Sequence, residues 1–282
     1  MKVGIIGYGF VGKSIANGFK PNVEVYKVDP KLSTDISDLK IFNPDVIFIC
    51  VPTPMNNDST QDISAVMQTI KDIKKYNFKS LIVLKSTVLP NYLEDIKSYI
   101  PNIVFNPEFL REKFAKQDFI NANLIVFGGE KTYCQQLAKI YSKYTKCKNK
   151  EYIFTDLIAA SLIKYTINSF LATKVTFFNE LNSLFNETGT KSSWKEFVNA
   201  ITKDPRIGNS HMSVPGNDGR FGYGGACFPK DTYALLEYSK NLDSHLELLK
   251  SSIMINNKIR ASYNNETERE LEQNINFKGE NK

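Results

Sequence analysis

Short apolar runs alternate with amphipathic stretches through the first half of the chain, a pattern typical of a parallel sheet with helices on both faces. Six such runs, each followed by polar or glycine residues, predict strands at Lys2–Ile6, Val23–Val28, Val46–Val51, Leu81–Lys85, Ile103–Phe105 and Leu124–Phe127. Ligands of sheets of this kind bind beyond the carboxyl ends of the strands. We therefore expect the chemistry of the protein in the segments that follow these strands.

A long helix is predicted over Leu157–Glu187, which contains no glycine or proline and whose apolar residues recur at steps of three and four. Shorter helices are predicted at Ser192–Ile201, Lys230–Ser239 and Ser244–Ile259. From Asn264 the chain is rich in Glu, Asn and Lys, which predicts a frayed tail. We expect an α/β domain with a parallel sheet (1–154), an α-helical central domain (155–263) and a polar tail (264–282).

The composition narrows the possible partners. With 282 residues, of which 42% are hydrophobic, the chain is long enough to bury the cores of two domains. The formal charge of +6 comes from lysines dispersed among acidic residues, without the dense basic block expected of a protein that binds nucleic acid or a membrane surface. A modest positive field would still attract an anionic, phosphate-bearing substrate.

The cysteines and the start of the chain bear on its location. Cys50, Cys134, Cys147 and Cys227 are widely spaced and lack the Cys-x-x-Cys pairing typical of a metal site, so we expect reduced thiols and no metal. No apolar run approaches membrane-spanning length. The first predicted strand begins at Lys2, which leaves no room for a signal peptide, and a cytoplasmic location is expected.

A glycine pattern predicts a dinucleotide site. Gly7-Tyr8-Gly9-Phe10-Val11-Gly12 follows the first strand and opens a helix. There Gly7 suits a tight turn, Gly9 a close approach to a pyrophosphate and Gly12 close helix–strand packing. Asp29 ends the second strand, where a carboxylate bonds ribose hydroxyls and repels a 2′-phosphate, which favours NAD over NADP. The α/β domain (1–154) is therefore expected to be a Rossmann-like dinucleotide-binding domain. The alternative is a structural turn without a cofactor.

A second glycine-rich segment, Phe221–Asp231, brings Cys227 to the start of a predicted helix. Pro229 suits the first helical position. The unpaired N–H groups and the positive end of the helix dipole favour a thiolate there, which makes Cys227 a candidate nucleophile. The alternative is a small buried apolar residue on a tight turn.

Polar residues at three further places complete the set of candidates. Glu108 and Glu112 follow the fifth strand and are able to orient water or transfer a proton, although each alone is a common solvated carboxylate. Lys164 and Asn168 share one face of the long helix. An ammonium and an amide on an otherwise apolar face suit an oxyanion site, and an exposed polar stripe is the alternative.

In their order along the chain, these motifs resemble those of the nucleotide-sugar dehydrogenases, and the resemblance extends to about Arg260. The motifs are the glycine fingerprint with Asp29, Val51-Pro52-Thr53-Pro54, Lys85-Ser86-Thr87-Val88, Asn106–Glu112, Lys164-x-x-x-Asn168, Asp204-x-Arg206-Ile207-Gly208 and Phe221–Asp231. The resemblance implies NAD as cofactor, a nucleotide-sugar substrate, a homodimer, and oxidation of a primary alcohol to a carboxylate through a cysteine thioester.

The resemblance also implies residue roles. Cys227 would be the nucleophile, Lys164 and Asn168 would stabilise oxyanions, and Asp231 would hold the hydrolytic water. Thr87 and Glu112 would place water, and Glu108 would be an acid or base. The other cofactor contacts implied are Val51, Pro52, Thr53, Pro54, Ser86, Thr87 and Glu112. The substrate contacts implied are Glu108, Phe109, Leu110, Arg111, Lys164, Asn168, Phe221, Gly222, Tyr223, Gly224, Gly225 and Cys227, with Arg206 reaching the substrate of a neighbouring subunit.

Two departures from the family pattern stand out. Lys113 replaces a usual glycine, which predicts a different turn, and the second Rossmann-like domain usual in the family has no counterpart before Lys282. The expected forms are a naturally short chain, a lid supplied by another chain, or a fragment. The cysteine motif favours the UDP-glucose branch, with GDP-mannose oxidation as its nearest competitor. Two competing functions of different kinds are a catalytically idle binding module and a single-oxidation hydroxyacid dehydrogenase.

Overall fold

The fold is that of a computed structural model, which describes residues 1–278. The chain forms two compact units, one from Met1–Thr53 and Asp62–Lys164, the other from Pro54–Gln61 and the chain from Tyr165 onward. The division between the units thus falls inside the long helix, and a short early segment belongs to the second unit.

A seven-stranded sheet with the order β2-β1-β3-β4-β5-β6-β7 forms the first unit. The strands are β1 (Lys2–Ile6), β2 (Glu24–Val28), β3 (Val46–Ile49), β4 (Leu81–Leu84), β5 (Ile103–Phe105), β6 (Val126–Gly128) and β7 (Ile153–Thr155). All pairings are parallel except that of β5 with β6, which is antiparallel and registers Phe105 with Gly128. The prediction of an α/β fold is confirmed, with a mostly parallel sheet in place of a wholly parallel one.

Eleven α-helices accompany the strands in the described residues. They are α1 (Phe10–Gly18), α2 (Ile36–Phe42), α3 (Ser64–Tyr76), α4 (Pro90–Tyr99), α5 (Ala115–Ile120), α6 (Lys131–Tyr144), α7 (Leu157–Glu187), α8 (Trp194–Ile201), α9 (Phe228–Lys240), α10 (Glu247–Arg260) and α11 (Glu268–Leu271). The predicted long helix is confirmed at both ends by α7. Among residues 1–278, no helix combines the length and apolar character needed to cross a membrane.

Strand side chains alternate between two cores, one on each face of the sheet. Ile47 and Ile49 of β3 belong to one core, whereas Val46 and Phe48 belong to the other. This alternation explains why the central strands read as unbroken apolar runs, since helices cover both faces of a parallel sheet. The polar residues that follow the strands are thereby fixed at one edge of the sheet.

The second unit is helical, and its core includes the segment that was predicted to fray. Tyr233, Leu249 and Ile253 pack with Ile275 and Phe277, and all five are buried. The prediction of a frayed tail is therefore wrong up to residue 278. The segment is polar on average, but two of its residues, Ile275 and Phe277, are apolar and pack into the core. Residues 279–282, the end of the predicted tail, lie outside the described residues.

Candidate functional site

The turn before α1 has the backbone geometry predicted for a pyrophosphate site. Gly7 has φ +88°, and a Cβ there would lie 2.7 Å from the Cys50 carbonyl carbon. A Cβ on Gly12 would overlap the Gly7 carbonyl oxygen, so the helix lies against the turn at this point. Gly9 is the N-cap of α1 and has open space where its Cβ would be. The tight turn at Gly7 and the close packing at Gly12 are as predicted, and the open space at Gly9 leaves room for the predicted approach of a pyrophosphate.

Asp29 closes this turn from the end of β2. Its carboxylate accepts hydrogen bonds from the backbone N–H groups of Tyr8 (2.6 Å) and Lys31 (2.9 Å). A carboxylate offers about four acceptor positions, so capacity remains for ribose hydroxyls. The first turn of α1 carries no acidic residue that would repel a phosphate. These residues fit a dinucleotide.

The segments after β3 and β4 are tied to each other. The Ser86 hydroxyl donates to the Val51 carbonyl oxygen (2.7 Å) and Ser86 N–H donates to the Ile49 carbonyl oxygen (3.2 Å). Thr87 follows and is half-buried. Val51, Pro52 and Thr53 belong to the first unit, whereas Pro54 begins the part of the second unit that precedes residue 62.

Glu108 lies in a buried polar network. Lys85 Nζ is 2.8 Å from Glu108 Oε2, with the side chains 3% and 14% exposed. Asn106 Oδ1 accepts from Lys85 Nζ (3.1 Å) and from the Tyr141 hydroxyl (2.6 Å). A cavity of about 20 Å³ adjoins these residues and is large enough for about one water. Lys85 was predicted only as part of a motif, without a role, and Tyr141 was not a candidate, although a lysine ending an apolar strand is a signal for a buried partner.

Lys164 contacts the same segment from α7. Its ammonium donates to the Glu108 carbonyl oxygen at 2.6 Å and lies 5.5 Å from the centre of the Phe109 ring. Lys164 is buried, so this cation is not part of an exposed stripe. The first unit therefore gathers Lys85, Glu108 and Lys164 around the end of β5.

The other predicted residues near β5 are more exposed. Arg111 forms an ion pair with Asp118 at 2.7 Å, and Leu110 packs at the margin of one core. Glu112 and Lys113 are exposed in a short 3₁₀ helix, Glu112–Phe114, which continues into α5. The turn at Lys113 is thus a helical one.

In the second unit, Cys227 is the N-cap of α9, as predicted for a residue at the helix entrance. The Asp231 N–H donates to the Cys227 carbonyl oxygen at 3.0 Å. The Asp231 carboxylate is buried and accepts from Asn168 Nδ2 and from Lys230 Nζ, each at 2.6 Å. The structure therefore brings Asn168 and Asp231 together at the start of the cysteine helix, and it adds Lys230, which had no predicted role.

Side chains from distant parts of the second unit hold the loop before Cys227. The backbone N–H groups of Gly222, Tyr223 and Gly225 donate to side-chain oxygens of Asn179 (2.9 Å), Asn256 (2.7 Å) and Glu270 (3.1 Å), respectively. Sequence patterns gave no signal for these three acceptors, because no local motif links them to the loop.

The other three cysteines differ from Cys227 in their surroundings. Burial raises the pKa of the Cys50 thiol to about 12, with Lys85 opposing part of the effect, and raises that of Cys134 to about 11. Burial likewise raises the pKa of Cys147. A protonated thiol is a poor nucleophile. These three cysteines therefore suit packing, in contrast to Cys227 at the entrance of a helix.

Arg206 is a surface residue of the second unit. It pairs with Asp204 at 2.5 Å, and its side chain is 87% exposed.

Comparisons with known proteins identify the family. The NAD binding domain of the UDP-glucose/GDP-mannose dehydrogenase family matches residues 28–145, and the central domain of that family matches residues 158–258. UDP-glucose 6-dehydrogenase of Rickettsia bellii is 37% identical over 231 residues, which are 79% of this chain and 51% of the relative. UDP-glucose 6-dehydrogenase of Campylobacter jejuni is 30% identical over 298 residues, covering 93% of this chain and 73% of the relative.

A solved structure agrees with these matches. The structure of a UDP-glucose dehydrogenase from the archaeon Pyrobaculum islandicum has a TM-score of 0.76 and 25% identity, covering 91% of this chain and 68% of that one. The chain spans about half the length of the Rickettsia relative. The matched domains, the glycine turn with Asp29 and the helix capped by Cys227 agree with one another, and the chain belongs to the UDP-glucose/GDP-mannose dehydrogenase family, whose NAD-binding and central domains it carries.

Proposed function

We propose that the chain oxidises the primary alcohol of a nucleotide sugar to a carboxylate, with UDP-glucose as substrate and UDP-glucuronate as product. The observation that carries this proposal is the placement of Cys227 at the N-terminus of α9, one turn from the buried Asn168–Asp231 hydrogen bond. A single-oxidation dehydrogenase needs no such thiol. GDP-mannose is the second candidate substrate, since the family includes enzymes of both kinds.

The glycine turn and Asp29 hold the cofactor in this proposal. The open space at Gly9 lets the pyrophosphate approach the N-terminus of α1, and the remaining acceptors of Asp29 bind the ribose hydroxyls. When bound, NAD accepts hydride from the sugar carbon, once for each of two oxidations. Val51, Ser86 and Thr87 line the same edge of the sheet in this proposal.

The residues of the chain handle the protons and the acyl group. After the first oxidation, the Cys227 thiolate adds to the aldehyde, forming a C–S bond and an alkoxide that takes up a proton. The second hydride would pass to oxidised NAD and the hydroxyl proton to a base, which leaves a thioester. Water then attacks the carbonyl carbon and the C–S bond breaks, which gives the carboxylate, one proton lost to solvent and the regenerated Cys227 thiol.

Buried polar groups stabilise the charges that develop. We assign Lys164 and Asn168 to the oxyanions, since preorganised donors in a dry site stabilise charge strongly. Asp231, which is buried and pairs with Lys230 at 2.6 Å, orients the hydrolytic water in this assignment. Glu108, paired with Lys85, is the proposed acid or base, and Thr87 and Glu112 place water.

Partner and substrate contacts complete the proposal. Phe170, Phe177 and Leu184 recur every seven residues on α7 and are 66%, 57% and 61% exposed, a stripe that a second copy of the chain would cover. The exposed Arg206 would then reach the partner's substrate. Phe109–Arg111 and Phe221–Gly225 would contact the substrate, and four cysteines that form no disulfide suit a cytoplasmic location.

The test is the stoichiometry of the reaction. Purified protein with NAD and UDP-glucose should release two NADH for each sugar consumed, with UDP-glucuronate as the product. Two NADH with GDP-mannose alone would keep the mechanism and change the substrate. No turnover with UDP-glucose, GDP-mannose or UDP-N-acetylmannosamine would refute the activity and leave a catalytically idle binding module.

A further inference from the structure

A buried ion pair lies beneath the loop that carries Cys227. Arg260 Nη2 is 2.6 Å from Glu270 Oε1, and both side chains are 0% exposed. Arg260 Nη1 also meets Asp218 at 2.8 Å. The same Glu270 oxygen accepts the Gly225 N–H at 3.1 Å, while the other oxygen accepts the Thr267 N–H at 2.6 Å. One carboxylate therefore joins α10, the start of α11 and the cysteine loop.

The backbone of the loop lies directly on this pair. A Cβ on Gly224 would overlap the Arg260 guanidinium and the Glu270 carboxylate, and a Cβ on Gly222 would lie 2.6 Å from Asn256 Oδ1. Only glycine permits such an approach at these positions. Gly225, which donates to Glu270, stands two residues before Cys227, so a shift of the carboxylate is transmitted through one residue to the nucleophile.

A buried ion pair is an inefficient way to stabilise a fold. Isolated buried charges are costly, and apolar residues of similar volume often replace a buried pair at little loss. A charged acceptor fixes a backbone N–H more strongly than a neutral one does. The observation that an otherwise polar segment buries Glu270 against this loop therefore favours a role in placing the loop.

We propose that Glu270, held by Arg260, is a positioning residue for Cys227: it fixes the Gly225 amide and thereby the thiol at the N-terminus of α9. The proposal rests on the proposed role of Cys227 as nucleophile. The first oxidation of the sugar needs no thiolate, whereas the second requires the thiolate to meet the aldehyde carbon. Loosening the loop should therefore impair the second oxidation selectively.

The experiment uses Glu270→Ala and the isosteric Glu270→Gln, with Glu272→Gln as the matched control. Glu272 stands in the same segment and pairs with Arg269, but both side chains are exposed. NADH per sugar is measured with protein in excess over UDP-glucose, and kcat and KM for NAD are measured at steady state. Gly225 amide exchange and the rate of Cys227 alkylation by iodoacetamide are followed in the same variants.

The proposal expects Glu270→Ala to lower NADH per sugar from two toward one and kcat by about tenfold or more, because small displacements of reacting groups cost at least that much. KM for NAD should change by less than about twofold, since the cofactor residues lie in the first unit. Glu270→Gln keeps an acceptor oxygen and should recover part of the loss. Glu272→Gln should match the wild type.

Two NADH per sugar from Glu270→Ala, with a uniformly lower rate and melting temperature, would overturn the proposal in favour of a structural role. If Glu270→Ala does not fold, Glu270→Gln decides: faster Gly225 exchange than in the control supports the proposal, and equal exchange refutes it. If the wild type releases no NADH, the activity proposal fails by itself. Gly225 exchange and Cys227 alkylation then decide on positioning, and rates in the Glu270 variants equal to those in Glu272→Gln refute it.

Discussion

The two glycine-rich loops of the protein lead into helices in the same way but are held by different means. Gly7–Gly9 leads into α1, which contains Gly12, and is held mainly by backbone. Added Cβ atoms at Gly7 and Gly12 would meet the main chain of Cys50 and Gly7, and Asp29 adds a side-chain acceptor for the Tyr8 N–H. Phe221–Gly225 precedes α9 and is held by side chains of Asn179, Asn256 and Glu270. The conformation of a loop held mainly by backbone follows largely from its own glycines. The conformation of a loop held by side chains depends on residues elsewhere in the chain.

Among substitutions near the first loop, we expect the largest loss of stability at Gly12. Gly12→Val would drive a branched side chain into the Gly7 carbonyl oxygen, where the main chain has no room to move. We expect a loss of about 4 kcal/mol or more in the free energy of unfolding and no detectable NAD binding. Urea unfolding and NAD titration by fluorescence check both effects.

Gly9→Ala is the matched control for this loop. A Cβ at Gly9 meets nothing within 4 Å, so unfolding should change by less than about 1 kcal/mol. NAD affinity should still fall, because the methyl group occupies the space proposed for the pyrophosphate. If Gly9→Ala binds NAD with wild-type affinity, the proposed position of the pyrophosphate at Gly9 is wrong.

The second loop should be sensitive to substitution of the buried side chains that support it. Arg260→Met leaves the fully buried Glu270 carboxylate without its cation, and we expect a loss of about 3 kcal/mol in the free energy of unfolding. Arg269→Met, which removes an exposed partner of Glu272, should cost less than about 1 kcal/mol. Equal losses in the two variants, measured by urea unfolding, would contradict this account of the pair.

Gly224→Ala tests the contact between the loop and the pair. The added methyl group would overlap the ends of the Arg260 and Glu270 side chains, which are pinned by their partners, so we expect a loss of about 2 kcal/mol. Turnover should fall while NAD affinity is unchanged. A Gly224→Ala protein with wild-type turnover would show that the loop tolerates displacement from the pair.

The smallest effect is the pH dependence contributed by Glu270. Burial alone would raise the pKa of this carboxyl, but N–H donors of Thr267 and Gly225 together with the Arg260 charge lower it below the usual 4.5. The facing charged groups are Arg260 and, beyond it, Asp218.

Because the folded pKa is the lower one, this stabilisation is complete above about pH 4.5 and is lost as the pH falls through the folded value. The difference in unfolding free energy between the wild type and Glu270→Gln should therefore shrink as the pH falls from about 7 to about 3. Urea unfolding across this range measures it. A difference that grows toward low pH would mean that burial dominates and the pKa is raised.

Local patterns predicted most of the first unit. The alternation of apolar runs located six of the seven strands but not β7, and α7 was predicted at both ends because neither glycine nor proline interrupts it. The antiparallel β5–β6 pairing was not predicted, since strand direction depends on how the chain returns to the sheet. There Asn106 donates to the Val126 carbonyl oxygen at 2.9 Å and ties the end of β5 to β6.

The sequence predicted which residues belong to the candidate site better than it predicted which side chains pair with one another. Cys227, Asn168 and Asp231 were predicted together, and the structure adds Lys230 beside Asp231 and Lys85 beside Glu108. Pairing between distant side chains leaves no periodic trace in a sequence. Glu270 was missed for a further reason, because two apolar anchors, Ile275 and Phe277, bring a polar segment into the core.

The most direct test of the central claim is a single-turnover experiment on Cys227→Ala with protein in excess over UDP-glucose. The wild type should release two NADH per sugar and form the acid. Cys227→Ala should release about one NADH per sugar and stop at the aldehyde, because the second oxidation proceeds through the thiohemiacetal. Two NADH per sugar and a normal yield of acid from Cys227→Ala would contradict the assignment of Cys227 as the nucleophile.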